Sequence, residues 1–140
     1  MQRIYLDSNI FIAYIRSDMG KPFKLMFKDV EDFFDCCPNR FVLVLSEFFI
    51  EEVEKKVHYS KSMVGEFFKD YKISTEFIET TKIEKKLAPE FFKKGLHAGD
   101  ALHAAFAINS KCDFLLTFNI KDFKRLENRI KLREPKELVE

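Results

Sequence analysis

The segment Phe41-Val42-Leu43-Val44-Leu45-Ser46-Glu47 carries five consecutive apolar residues after a Pro38-Asn39 turn, then switches abruptly to polar ones. An uninterrupted apolar run of this length reads as a strand buried on both faces, as in a parallel sheet. Ser46 is a helix-start residue. Beyond it Phe49, Ile50, Val53 and Val57 form one helical stripe. The unit is therefore strand, then helix, and it recurs on either side.

Toward the N-terminus, Ile4-Tyr5-Leu6 is a short apolar run ending at Asp7. Ser8-Asn9 is expected to cap a helix with its body at Ile10 to Ile15. Gly20 and Pro22 punctuate, and apolar residues then recur at helical spacing from Phe23 to Phe34. Toward the C-terminus, Met63, Val64, Phe67, Phe68 and Tyr71 form another stripe, followed by an extended segment near Ile73–Ile78. Thr81-Lys82-Ile83-Glu84 has the capping-box pattern. Pro89 is expected to end that helix or open a new one, with Gly95 as the stop. Ala101 to Ile108 is rich in helix formers and small residues. Phe114-Leu115-Leu116-Thr117 is a third buried strand, and Phe123 and Leu126 sit in a short charged helix. Ile130 and Leu132 alternate with Arg129, Lys131 and Arg133, like an edge strand with one wet face. The alternation implies an α/β fold, a three-layer α/β/α sandwich with a central parallel sheet of four to five strands.

The chain has 140 residues, one domain's worth, and residues 1–140 are read as a single domain without linker or repeat. Hydrophobic residues make up 46% and charged residues 34%, a globular balance. Lys+Arg is 24 against Asp+Glu 23, a net charge of +1, which excludes the bulk positive field of a general nucleic-acid coater. Any basic groove must be local. No apolar run approaches the roughly 20 residues of a membrane span. Asp7 stands where a signal peptide needs apolar residues. Cys36, Cys37 and Cys112 are odd in number and contain no C-x-x-C, a poor framework for disulfides or zinc. The expectation is a reduced, cytoplasmic protein. Its 17 Phe and absence of Trp are unusual.

Ligands of open α/β sheets bind beyond the carboxyl ends of the strands. Asp7 follows the first strand there, Ser46-Glu47 the second, and Thr117-Phe118-Asn119 the third, with Asp122 just beyond. Asp100 opens the small-residue helix within His97-Ala98-Gly99-Asp100-Ala101-Leu102-His103. Each acid alone reads as a turn, cap or first-turn residue. Together they need a reason, since two unit charges 4 Å apart repel by about 4 kcal/mol at an effective dielectric of 20. Converging carboxylates either take up protons or bind a cation. Oxygen-only donors select a hard ion such as Mg²⁺ or Mn²⁺, and the chemistry that follows is phosphodiester hydrolysis.

The runs Tyr5-Leu6-Asp7-Ser8-Asn9-Ile10, Ser46-Glu47, Asp100-Ala101-Leu102-His103-Ala104-Ala105 and Leu116-Thr117-Phe118-Asn119-Ile120-Lys121-Asp122-Phe123 together resemble a PIN domain. They are most similar to the VapC-type toxin ribonucleases of toxin–antitoxin pairs. The resemblance implies a parallel sheet flanked by helices and an acidic cluster that binds Mg²⁺ or Mn²⁺ and cuts RNA. It assigns Asp7, Glu47 and Asp100 as metal ligands and catalytic acids. Ser8 and Thr117 are supporting hydroxyls, and Asn9 orients neighbouring carboxylates. The family's fourth acid is replaced by Asn119, with Asp122 as the nearby substitute. The resemblance further implies an RNA substrate, an antitoxin partner and a homodimer. Asn119 keeps a second reading open, a PIN-fold binding module of weak or absent catalysis.

His97 and His103 flank Asp100 at three-residue spacing, but Gly99 and the expected helix start argue against a shared face, so packing or surface roles are favoured. By chain position, Lys21, Lys24, Lys93, Lys94, Lys121, Lys124 and Arg125 are the basic residues nearest the acidic edge. Phe48 and Leu25 fall off their stripes, and Phe33-Phe34 and Phe91-Phe92 cannot all face one way. Neither G-x-G-x-x-G nor G-x-x-x-x-G-K-[ST] occurs, which disfavours dinucleotide and P-loop binding. Asn9 stands where a haloacid-type phosphatase needs a second Asp, and the paired acids of a phospho-receiver are not evident.

Overall fold

Asp7 and Thr117 end up side by side because of how two strands pair. A computed structural model describes residues 1–17 and 23–139, with side chains from residue 26 onward in the second stretch. Gly20, Lys21 and Pro22, and the side chains of Lys24 and Leu25, lie outside the described residues. Strands β1 (Gln2–Leu6), β2 (Phe41–Ser46), β3 (Ser74–Ile78), β4 (Phe114–Leu116) and β5 (Lys131–Arg133) form one sheet, ordered β3-β2-β1-β4-β5. Every pairing is parallel. The chain runs outward from β1 through β2 to β3, then returns to place β4 on the other side of β1. That reversal is the switch point at which open α/β sheets leave a crevice. Leu6 is in register with Leu116, and the Asp7 amide donates to the Leu116 carbonyl at 3.0 Å. The residues that follow these two strands therefore emerge together.

The connections are α1 (Ser8–Ile15), α2 (Phe23–Cys36), α3 (Glu47–Val57), α4 (Lys61–Asp70), α5 (Lys82–Lys93), α6 (Ala98–Asn109) and α7 (Ile120–Phe123). The twofold alternation of the strands sorts them into layers. Ile4, Leu6, Leu43, Leu45 and Leu116 face a core filled from α1, α2, α3 and α4. Tyr5, Val44 and Leu115 face a second core filled from α5, α6 and α7. The expected three-layer α/β/α sandwich with a parallel sheet is observed. β5 is short and at an edge, with Leu132 buried and Lys131 exposed.

The phenylalanines concentrate in the first core. The Phe11 ring lies 5.9 Å from Phe49, 5.4 Å from Tyr59, 5.0 Å from Phe67 and 5.7 Å from Phe68. Edge-on and tilted geometries such as these are the favoured ones for aromatic pairs. Phe33 and Phe34 are both fully buried, whereas Phe91 is buried and Phe92 is 59% exposed. Phe48 is half-buried and packs on the second core, against the His103 ring.

Two local expectations are corrected. The cap of α1 is Asp7, whose carboxylate accepts from the Asn9 amide, so the helix starts at Ser8 and Ser8-Asn9 lies inside it. Helix α5 also passes through Pro89 and runs to Lys93, where Gly95 at φ +102° terminates it. Proline in a helix interior costs about 3 kcal/mol. Burial of a Phe side chain returns about 1.5–3 kcal/mol, and Phe91 beyond the proline is fully buried. Glu84 adds a tie. Its carboxylate accepts from Thr81 in the capping box and from the Asn109 amide of α6.

Candidate functional site

The crevice above β1 and β4 is a cavity of about 400 Å³. Asp7, Ser8, Asn9, Asp100 and Asn119 all line it. Asp7 lies between the end of β1 and the start of α1, and its position is over-determined. One carboxylate oxygen accepts from the Asn9 amide at 3.2 Å and the other from the Thr117 hydroxyl at 2.8 Å. Thr117 Oγ1 in turn accepts from Asn9 Nδ2 at 3.3 Å and from the Asn119 amide at 3.0 Å. The supporting residues Asn9, Thr117 and Asn119 thus form one hydrogen-bonded set around Asp7. Asn9 Oδ1 is buried and is the one such side-chain acceptor without a partner among the described residues.

Asp100 sits in the first turn of α6, half-buried. Its carboxyl is pushed up to about 6 by burial first, then by the charges of Asp7 and Asp122. The folded protein therefore holds this proton more tightly than the unfolded chain does, so stability falls as pH rises from the ordinary 3.8 to about 6. In a metal-free chelating buffer, Asp100→Asn should remove that loss. The variant should gain about 1 kcal/mol on the parent between pH 4 and pH 7, a figure reduced for the partial exposure of the group. Urea melts at the two pH values measure this. An unchanged difference between the proteins would mean that neither burial nor the neighbouring charges raise the Asp100 carboxyl in solution.

Glu47 does not join the cavity. It is exposed at the first position of α3, accepts from Thr80 at 3.4 Å, and faces the space beside β3 with Lys61 and Phe77. The acid of α3 that reaches the cavity is Glu52. Five residues turn a helix by about 140° and advance it about 7.5 Å. Glu52 accepts from the Ser8 hydroxyl at 2.6 Å and lies 2.7 Å from His103 Nε2. Burial raises its carboxyl, but the bond and charge of His103, with help from Ser8 and Lys56, bring it below the ordinary value. Asp122 is exposed in the adjoining hollow with His97, Lys121 and Arg125, coupled to Asp100 only through its charge.

His103 also belongs to the site. Helix α6 begins at Ala98, so Asp100 and His103 are one turn apart and both line the cavity, contrary to the expectation drawn from Gly99. Its Nε2 is 3.6 Å from Asp7 as well as 2.7 Å from Glu52. Burial lowers the affinity of the ring for a proton, yet Asp7, Glu52 and Asp100 outweigh it and raise it overall. Among the described residues the cations at the cavity wall are Arg16 and Lys56; of the basic residues picked out by chain position, Lys93, Lys94, Lys121, Lys124 and Arg125 do not line it, and the side chains of Lys21 and Lys24 lie outside the described residues. The sequence offered a signal for Glu52. It lies three residues after buried Phe49 and one before buried Val53, while Glu51 and Glu54 point to solvent.

Among the described residues, no three His, Cys, Asp or Glu side chains are drawn together into a ready-made metal cage. The side chains lining the cavity nevertheless include the carboxylates of Asp7, Glu52 and Asp100 and the amides of Asn9 and Asn119. Such donors suit a hard cation that keeps several waters. The arrangement can concentrate negative charge at one point, flanked by two cations.

The family model described as the PIN domain matches residues 4–128. The chain belongs to the PIN domain family. Solved structures that share its fold include three from toxin–antitoxin complexes. VapBC from Salmonella typhimurium bound to DNA is 20% identical at a TM-score of 0.64, covering 96% of this chain and 99% of that one. A toxin–antitoxin complex from Klebsiella pneumoniae is 18% identical at 0.63, covering 94% and 97%. VapBC2 from Rickettsia felis, bound to a promoter DNA fragment, is 24% identical at 0.59, covering 95% and 98%. Comparison with curated proteins finds no match. In this PIN domain the acids at the end of β1 and at the start of α6 share the cavity with Glu52 of α3. Among the described residues no helix is long and apolar enough to cross a membrane.

Proposed function

We propose that this PIN-domain protein is a metal-dependent endoribonuclease, the toxin of a toxin–antitoxin pair working in the cytoplasm. The observation that carries the reading is the convergence of Asp7 and Asp100 on one cavity at the switch point; burial, then the charges of Asp7 and Asp122, raise the Asp100 carboxyl there. Asp7 and Asp100 would hold Mg²⁺ or Mn²⁺, with Glu52 near and Asn119 as a neutral oxygen donor. Bound there, such an ion supplies charge stabilisation to phosphate oxygens and a more acidic water. Thr117 and the Asn9 amide fix the Asp7 carboxylate, and Ser8 and His103 fix Glu52. Arg16 and Lys56 offer positive charge to a backbone phosphate at the rim. Asp122 adds negative charge beside Asp100. The protein partners proposed are an antitoxin, supported by the likeness to solved toxin–antitoxin complexes, and a second copy of the chain, supported by the resemblance to VapC-type toxins.

Asn119 favours a second reading, a binding module without catalysis. Adding Mn²⁺ separates the two. At a hundredfold excess over its dissociation constant, bound Mn²⁺ should stabilise the parent by about 2.7 kcal/mol. For a chain of this size that raises Tm by several degrees. Asp100→Asn should show no such rise and should not cleave single-stranded RNA. A parent protein with neither a Tm rise at millimolar Mn²⁺ nor RNA cleavage would leave the binding module standing.

A further inference from the structure

The acid of α3 is held from behind by a buried chain of hydrogen bonds that the proposed metal chemistry does not itself require. Ser46 Oγ caps α3 by accepting from the Phe49 amide at 3.0 Å. The Tyr5 hydroxyl of β1 lies 2.7 Å from that same oxygen and 2.6 Å from His103 Nδ1 of α6. The other ring nitrogen of His103 reaches Glu52 at 2.7 Å. Ser46 and Tyr5 are fully buried and His103 is 2% exposed. Both ends of the chain lie on α3, its cap at Ser46 and its second turn at Glu52. A tyrosine hydroxyl inside an apolar core is costly unless it is bonded on both sides. Here it is, and burial holds its proton far above the ordinary tyrosine range.

Without His103, the Glu52 carboxylate has an alternative. Lys56, one turn along α3, stands half-exposed at the cavity rim, 3.8 Å from the other carboxylate oxygen, and would draw the carboxylate toward the rim. His103 Nε2 lies between Glu52 and Asp7, at 2.7 Å and 3.6 Å. The imidazole therefore spaces two carboxylates that would otherwise repel across the cavity wall.

We infer that His103, locked by Tyr5 and Ser46, is a positioning residue that aims Glu52 into the nuclease cavity. This rests on the nuclease reading. The imidazole is 2% exposed and both its nitrogens are engaged, by Tyr5 and by Glu52, so it acts through Glu52. Loss of groups that orient metal-site side chains typically costs about 10–100-fold in activity or metal affinity.

The test compares His103→Gln, Tyr5→Phe, Glu52→Gln and the His103→Gln/Glu52→Gln pair on a single-stranded RNA substrate with Mn²⁺. Tyr5→Phe removes one hydroxyl and keeps the ring stacked on Phe106, 6.4 Å away at 8°. His103→Gln and Tyr5→Phe should each lower kcat about tenfold or more with KM within about twofold, the scale of outer groups that orient a metal site. The double variant should be no slower than Glu52→Gln alone, because His103 acts through that acid. The Mn²⁺ concentration giving half the Tm rise should increase in His103→Gln, a readout independent of turnover. Parent-like kcat in folded His103→Gln and Tyr5→Phe, or multiplicative losses in the double variant, would overturn the inference. So would both variants failing to fold, which would make the chain purely structural. Asp100→Asn serves as the separate control. If it cleaves RNA at the parent rate, it is the nuclease reading that fails.

Discussion

Asp7→Asn should abolish RNA cleavage while leaving the fold nearly as stable as the parent. The two halves of this expectation have different causes. Asp7 is the N-cap of α1, and asparagine caps as well as aspartate does. The new amide oxygen can still accept from the Asn9 amide. The loss falls at the other oxygen, which accepts from the Thr117 hydroxyl. Thr117 Oγ1 already accepts from Asn9 Nδ2 and the Asn119 amide, so a side-chain NH₂ facing it finds no free lone pair. One imperfect buried bond costs about 1–3 kcal/mol, and the relief of repulsion on Asp100 offsets part of it. The negative charge is irreplaceable, because it is the one buried carboxylate at the strand ends and the first of the two proposed cation ligands. A fall of about a thousandfold in cleavage rate corresponds to about 4 kcal/mol of transition-state stabilisation. The measurement is RNA cleavage by freshly purified protein beside a urea melt of the same preparation. Cleavage at the parent rate by a folded Asp7→Asn protein would remove Asp7 from the chemistry.

The parts legible in the sequence are those fixed by short-range pattern. The apolar run at Phe41–Leu45 and the strand-end position of Asp7 need only the sheet's twofold alternation and the switch-point rule to be placed correctly. Thr117 and Asn119 follow from the same logic, since the register of β1 on β4 carries them beside Asp7. Glu52 is hidden because it lies on a helix. A residue in the first turn and one five further on differ in direction by about 140°, and nothing local says which faces the sheet ends. Only the buried stripe of Phe49 and Val53 decides it, and by itself that stripe speaks of packing alone. His103 is hidden by one boundary. With α6 starting at Ala98, the histidine shares a face with Asp100; starting three residues later, at Ala101, it need not. Pro89 departs from expectation for a tertiary reason, the burial of Phe91 just beyond it. The cations at the cavity, Arg16 and Lys56, come from the ends of α1 and α3, which chain position relative to the acids does not reveal.

The largest effect on stability should come from Phe11→Ala. Phe11 is fully buried on α1, four residues after the Asp7 cap, with its ring against Phe49 of α3 and Phe67 and Phe68 of α4. Removing a buried Phe side chain costs about 3–5 kcal/mol, transfer and cavity together. Four aromatic neighbours cannot collapse into the void without breaking their own edge-on contacts, which places this site at the upper end of that range. A domain of ordinary stability, about 5–15 kcal/mol, loses a third or more of its margin. Phe11→Leu keeps most of the volume and should cost well under half as much. The consequence reaches function because α1 and α3 carry Ser8 and Glu52, whose 2.6 Å bond crosses between the two helices. In urea denaturation the midpoint should fall steeply for Ala and slightly for Leu, with little change in slope. Cleavage per folded molecule should fall less than stability does, since the strand-end pair of Asp7 and Thr117 is anchored by the sheet and not by this helix contact. A Phe11→Ala protein within about 1 kcal/mol of the parent would show that the ring cluster is not what holds α1 on the sheet, below even the low end of the large-to-small range.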